Sequence, residues 1–80
     1  MKQICLSELP LNTRAEVVRI DCEKSLKARL NEVGLFEGEV IFPVLKSPLG
    51  EPMAYKIGGA LIALRNSDCD KITVEKNDSL

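Results

Sequence analysis

Between Leu26 and Gly38 the chain reads Leu-Lys-Ala-Arg-Leu-Asn-Glu-Val-Gly-Leu-Phe-Glu-Gly, and this stretch limits the fold more than any other. Leu26, Leu30 and Val33 recur at i, i+4 and i+7, so one apolar stripe runs along a short helix. Lys27, Asn31 and Glu32 fall off that stripe and face water. Gly34 marks the stop. Without a Cβ it adopts the left-handed conformation that turns the chain out of a helix. Leu35 then falls where a Schellman cap takes an apolar residue, reaching back to Leu30. Gly38 closes a tight turn, and Glu39 opens an extended apolar segment. The start of the helix is open to two readings: Asp21 as N-cap gives three turns, Ser25 little more than two.

Most of the remaining chain reads as short strands. Ile4, Leu6 and Leu9 make an apolar opening in which Ser7 starts a single turn that Pro10 ends. Leu11 to Arg14 is a turn, with Asn12 suited to its left-handed position. Ala15 to Ile20 is the first strand, with Val18 and Ile20 expected inside and Val17 partly covered. Glu39 to Lys46 is the longest strand, with Val40, Phe42 and Val44 on one face and Ile41 and Leu45 on the other. Both faces are apolar, so the outer one needs cover from the helix, the N-terminal segment or another molecule. A homo-oligomer through Val40–Leu45 is one way to supply it. Pro43 removes a ladder donor and predicts a sheet edge or a bulge. Ser47 to Pro52 is a stiff turn built on Pro48, Gly50 and Pro52. Met53 to Ile57 returns as a strand with Met53, Tyr55 and Ile57 on one side, and Gly58-Gly59 turns a hairpin into Ala60 to Leu64. Asn66 to Cys69 forms one capped turn, and Lys71 to Val74 closes the sheet. Glu75 to Leu80 reads as a frayed polar tail. Five short strands and one helix predict a small, partly open β-barrel, as a single domain over residues 1–80.

Composition removes several classes of function. The 80 residues carry 11 basic and 12 acidic side chains and no His. No run of like charge occurs, and one Tyr, two Phe and no Trp leave little to stack on bases or to build an aromatic peptide groove. The opening Met-Lys-Gln-Ile-Cys-Leu-Ser-Glu has no signal-peptide core, and no run approaches the ~20 apolar residues of a membrane span. Direct membrane insertion and nucleic-acid binding are therefore not expected. Cys5, Cys22 and Cys69 are an odd number with no close pair, which fits a reducing compartment.

Little chemistry is readable. Acid–base or nucleophilic catalysis through His is excluded, and no phosphate loop is spelled by Gly34, Gly38, Gly50, Gly58 and Gly59, which read as cap and turn residues. No two cysteines have metal-ligand spacing. Cys22, expected to be exposed, stands with Asp21 and Glu23 as a weak divalent-metal candidate. Cys5 and Cys69 sit in apolar patterns and read as buried hydrophobes, with Asp68 and Asp70 as turn residues. No cofactor is expected. The Pro48-Leu49-Gly50-Glu51-Pro52 loop reads either as a rigid turn or as a stiff frame that holds Leu49 out for a partner. Leu35 and Phe36 at the helix end are expected partly bare, and Lys24, Lys27 and Arg29 make that side basic, suited to an acidic partner surface. Phe36, Leu49, Leu35, Pro48 and Lys27 together form the candidate partner face.

Arg29-Leu30-x-x-x-Gly34-Leu35-x-x-Gly38-x-x-Ile41, then Ser47-Pro48-Leu49-Gly50-Glu51-Pro52, then Leu61-Ile62-Ala63-Leu64-Arg65, resemble in order and spacing the FeoA family of ferrous iron transport proteins. The resemblance runs from about Leu6 to Val74. It departs near residue 12, where family members often carry Gly and this chain has Asn12. The resemblance implies a small SH3-like β-barrel of five to six strands with one inserted α-helix. It also implies a non-enzymatic cytoplasmic protein that supports ferrous iron uptake beside the membrane transporter FeoB, whose cytoplasmic part is a GTP-binding domain. Transition-metal binding is an association of the family. The alternatives are a metal-responsive domain like the C-terminal barrel of iron-dependent repressors, and a generic small-barrel module for proteins or nucleic acids. The residues alone argue for a soluble interaction module without enzymatic activity.

Overall fold

Glycine and proline cut this chain into short apolar runs, and nearly every run becomes a strand. A computed structural model describes residues 2–76. In chain order the elements are β1 (Lys2–Cys5), a 3-10 turn (Leu6–Glu8), β2 (Ala15–Ile20), α1 (Lys24–Glu32), β3 (Val40–Lys46), β4 (Met53–Ile57), β5 (Ala60–Leu64), the one-turn α2 (Asn66–Cys69) and β6 (Ile72–Lys76). The strands make one antiparallel sheet in the order β1-β6-β2-β3-β4-β5.

Two features of this sheet refine the expectation of a small, partly open barrel of five to six strands. Its terminal strands, β1 and β5, are not hydrogen-bonded to each other, so the sheet is not closed into a barrel. A sixth strand, β1, lies ahead of the five read from the sequence. Lys-Gln-Ile-Cys has too little alternation to announce a strand; pairing with β6 makes it one, in register from Lys2↔Lys76 to Cys5↔Thr73. That same pairing holds Glu75 and Lys76, expected in the frayed tail, as the end of β6. The rest of that tail, residues 77–80, lies outside the described residues.

A bulge resets β2. Val17 pairs with Val74, but Arg19 pairs with Thr73, so Val18 is the extra residue. Ala15 and Val17 point inward before the bulge and Ile20 after it. Val17 is therefore fully buried and Val18 only half-buried, the reverse of the expectation. A second bulge falls between Pro43 and Leu45 in β3, where the proline's missing donor called for one. Ile41 and Pro43 face the core there, and Val40 and Leu45 stay exposed. Strand β3 pairs with β2 at Val40 and Ile41 and with β4 along its length.

Helix α1 buries Leu26 and Leu30 and ends in the Schellman cap expected from its sequence. The Leu35 N–H donates to the Leu30 carbonyl at 2.9 Å, the Gly34 N–H to the Asn31 carbonyl at 3.0 Å, and Gly34 has φ +97. The cap also corrects the stripe. Val33 is the C-cap, already out of helical geometry and exposed, and Leu35 folds back to take the core place expected of Val33. At the other end neither Asp21 nor Ser25 caps. The Asp21 N–H donates to the carbonyl of Lys71, the residue just before β6, at 2.8 Å, Ser25 lies inside the helix, and Glu23 is the N-cap without a side-chain bond.

Candidate interaction surface

Phe36 and Leu49 stand out of the fold for different local reasons. Phe36 opens the turn that leads into β3, closed by the Glu39 N–H on the Phe36 carbonyl at 3.1 Å. Gly38, at φ +97, donates its N–H to the Val17 carbonyl at 2.7 Å and locks that turn against β2. Phe36 is left 47% exposed. Leu49 sits at the tip of the β3–β4 loop. There the Gly50 N–H meets the Ser47 carbonyl at 2.9 Å and the Ser47 hydroxyl meets the Glu51 carbonyl at 2.9 Å. Leu49 is 93% exposed, beside exposed Pro48. The loop is also anchored from outside, since the Glu51 carboxylate accepts the Asn66 N–H at 2.9 Å and so caps α2.

The five residues expected to share a face do not. Phe36 and Leu49 lie beyond opposite ends of β3, which at the usual rise keeps them roughly 20 Å apart. Leu35 is fully buried and belongs to the core, a correction of the expectation that it is partly bare. Lys27 is engaged within the chain: its Nζ lies 3.8 Å from the Glu37 carboxylate, whose same oxygen accepts the Ile20 N–H at 3.3 Å. What remains is Leu49 with Pro48 at one end and Phe36 at the other. Near the Leu49 loop a groove of about 660 Å³ runs between Ser7–Leu11 and the Lys46, Gly50 and Met53 wall, with Tyr55 at its floor. The exposed side chain of Leu11 lies on the groove's far side.

Under that floor Tyr55 Oη and Cys69 Sγ meet at 3.3 Å, both buried. Burial pushes the Tyr55 hydroxyl well above its ordinary range, with the Cys69 contact adding to the shift. Burial also pushes the Cys69 thiol up, so it stays protonated and unreactive, as its apolar setting suggested. Cys5 is half-buried, its Sγ 3.8 Å from the Asp70 carbonyl. Cys22 is half-buried and packed against the core, which corrects the expectation that it is exposed. Among the described residues no three His, Cys, Asp or Glu side chains converge as metal ligands, so Asp21, Cys22 and Glu23 are not brought together as a site. Asp70 instead accepts the Ser7 hydroxyl at 2.8 Å.

Sequence reasoning missed a second surface. Along the outer edge of β5, Leu61 is 67% exposed, and a groove of about 450 Å³ separates that edge from α1. The signal was present in Ala60 to Leu64, a strand with no charge and no proline, but nothing in the sequence marked it as the end of the sheet. Among the described residues no helix is long and apolar enough to cross a membrane.

Comparison with known proteins agrees with this architecture. Residues 4–76 match the FeoA domain family. A fusion of Fe(2+) transport protein A with the Fe(2+) transporter FeoB from Porphyromonas gingivalis is 36% identical over 70 residues, which are 88% of this chain and 8% of the fusion protein. The solution structure of iron(II) transport protein A from Clostridium thermocellum superposes with a TM-score of 0.87 at 36% identity, over 91% of this chain and 45% of that one. FeoA of Stenotrophomonas maltophilia, a prokaryotic SH3 domain protein crystallised with zinc, gives 0.76 at 37% identity over 90% and 89% of the two chains. A manganese-dependent transcriptional repressor shares the fold alone, with a TM-score of 0.84 at 13% identity over 94% of this chain and 42% of that one. The chain thus spans less than half the length of both the fusion protein and the Clostridium thermocellum protein. On the family match and the 36% relative together, the chain belongs to the FeoA family, which is linked to ferrous iron transport.

Proposed function

We propose that this chain is a non-enzymatic, SH3-like accessory domain that supports ferrous iron uptake by docking on the cytoplasmic GTP-binding part of a FeoB-like transporter. The observation that carries the reading is the fusion protein, in which a domain like this one is covalently joined to the transporter. A fusion holds two partners at high effective concentration, which is useful where the separate chains must otherwise find each other. In this reading the partner grips Leu49 on its stiff frame, and the adjoining groove receives the partner's apolar side chains. Phe36, beyond the other end of β3, makes a separate contact. The chain holds no metal of its own, because it has no His and its cysteines are scattered and half-buried or buried. Iron is then the cargo of the transporter.

The test is a titration of the transporter's cytoplasmic domain with the parent chain and with Leu49→Ala and Phe36→Ala, each alongside a melting curve. Leu49→Ala should weaken binding about tenfold, or about 1.4 kcal/mol, with the melting point unchanged. Full binding by both variants would place the interface elsewhere. Anaerobic titration with Fe(II) should show no stoichiometric binding at low micromolar concentration. A tight one-to-one isotherm lost on Cys22→Ser would contradict the metal-free reading.

A further inference from the structure

We propose that the free edge of β5 pairs antiparallel with β5 of a second copy of this chain, about a two-fold axis at Ile62. The inference is independent of the docking site proposed above. It starts from the hairpin. Ile57 and Ala60 flank the two-residue Gly58-Gly59 loop and are opposite each other, which makes them the hydrogen-bonded pair that closes it. Alternation then turns the peptide groups of Ile62 and Leu64 toward β4 and those of Leu61 and Ala63 away from the sheet. No loop or helix among the described residues donates to or accepts from Leu61 or Ala63. Sheet edges of this kind are ordinarily guarded by a Lys, a Pro or a bulge. Strand β5 has none of these: its residues are Ala-Leu-Ile-Ala-Leu, and its register with β4 runs without a bulge.

The second copy is favoured over a foreign strand by two features of the edge itself. Centred on Ile62, the pairing sets Leu61 opposite Ala63 of the second copy and Ala63 opposite its Leu61. These are the residues whose peptide groups point outward, so all of them bond at once, and a large side chain meets a small one at each position. The second feature is charge. The far wall of the groove is α1, where Arg29 and Glu32 are exposed one turn apart beside Val33. The one ion pair among the described residues, Lys27 with Glu37, uses neither of them. Edge-to-edge pairing brings the two grooves, each with its own Arg29 and Glu32, to one seam, where the opposite charges of the two copies complement each other. A seam of five residues is small beside the ~1,200 Å² of stable interfaces, so the pairing is weak and concentration-dependent.

Sedimentation of the reduced full chain between about 10 μM and about 1 mM, a range set by weak-affinity arithmetic, tests this, with amide NMR spectra over the same range. The expected result is a monomer that becomes a dimer, with shifts centred on Leu61 and Ala63. Leu61→Lys should weaken association at least tenfold with an unchanged melting curve; Ala63→Lys repeats the test if Leu61→Lys disturbs the fold. Arg29→Glu should also weaken it, and Arg29→Glu with Glu32→Arg should restore it. A chain that stays monomeric throughout, association indifferent to lysine at Leu61 and Ala63, or no recovery on charge reversal would each overturn the proposal. So would shifts at Leu61 and Ala63 that arise only when the transporter's cytoplasmic domain is added.

Discussion

The two ends of the sheet handle the same physical problem in opposite ways. Strand β1 is four residues long, opens with the exposed pair Lys2 and Gln3, and carries a charge that discourages another chain from adding to it. Strand β5 is five residues long, wholly apolar, and faces a groove. Both edges belong to one sheet, so the difference cannot come from topology; it lies in which residues each edge presents. An edge is closed to partners by its side chains, and β5 lacks the side chains that would close it.

Substitutions along β5 sharpen this contrast, because its two faces differ as much as the two edges do. Leu64 is a core residue, 5% exposed, while Leu61 on the same strand is an edge residue. Leu64→Ala should lower stability by ~2–5 kcal/mol in urea unfolding at micromolar concentration, through lost burial and the cavity left behind. A smaller effect follows from the groove's other wall. Gly34→Ala should cost about 1 kcal/mol, because a Cβ opposes positive φ even though nothing lies within 4 Å to collide with it. An unchanged midpoint would remove the cap as the device that positions α1. Leu61→Ala should leave monomer stability within about 0.5 kcal/mol, as for other exposed positions. A large loss there would mean that β5 has no spare face, and the comparison of the edges would fail.

Much of this was legible because it depends on neighbours in sequence. The Gly34-Leu35 cap, Asn12 at φ +62, the Gly58-Gly59 hairpin, the proline bulge and the Leu49 loop are local devices, and their residue types announce them. What was misread depends on long-range pairing. The bulge that buries Val17 exists only in relation to β6, and β1 is a strand only because β6 lies beside it. Leu35 reads from the sequence both as a cap residue and as surface; its burial follows from the cap, so the first reading excludes the second. The candidate site was the least legible part. Phe36 and Leu49 read as exposed from their turn positions and are exposed, but only the fold reveals that β3 separates them, or that an uncharged strand is the last one in its sheet.

Placing the same charge on each edge in turn tests the central claim most directly. Gln3→Lys on β1 and Leu61→Lys on β5 add one lysine each, at exposed positions on the two terminal strands. The measurement is the weight-average mass of both variants and the parent chain by equilibrium sedimentation at about 1 mM, where weak self-association is populated. The account predicts that Gln3→Lys associates as the parent does and Leu61→Lys stays monomeric. Equal association by all three chains, or loss with Gln3→Lys alone, would contradict it.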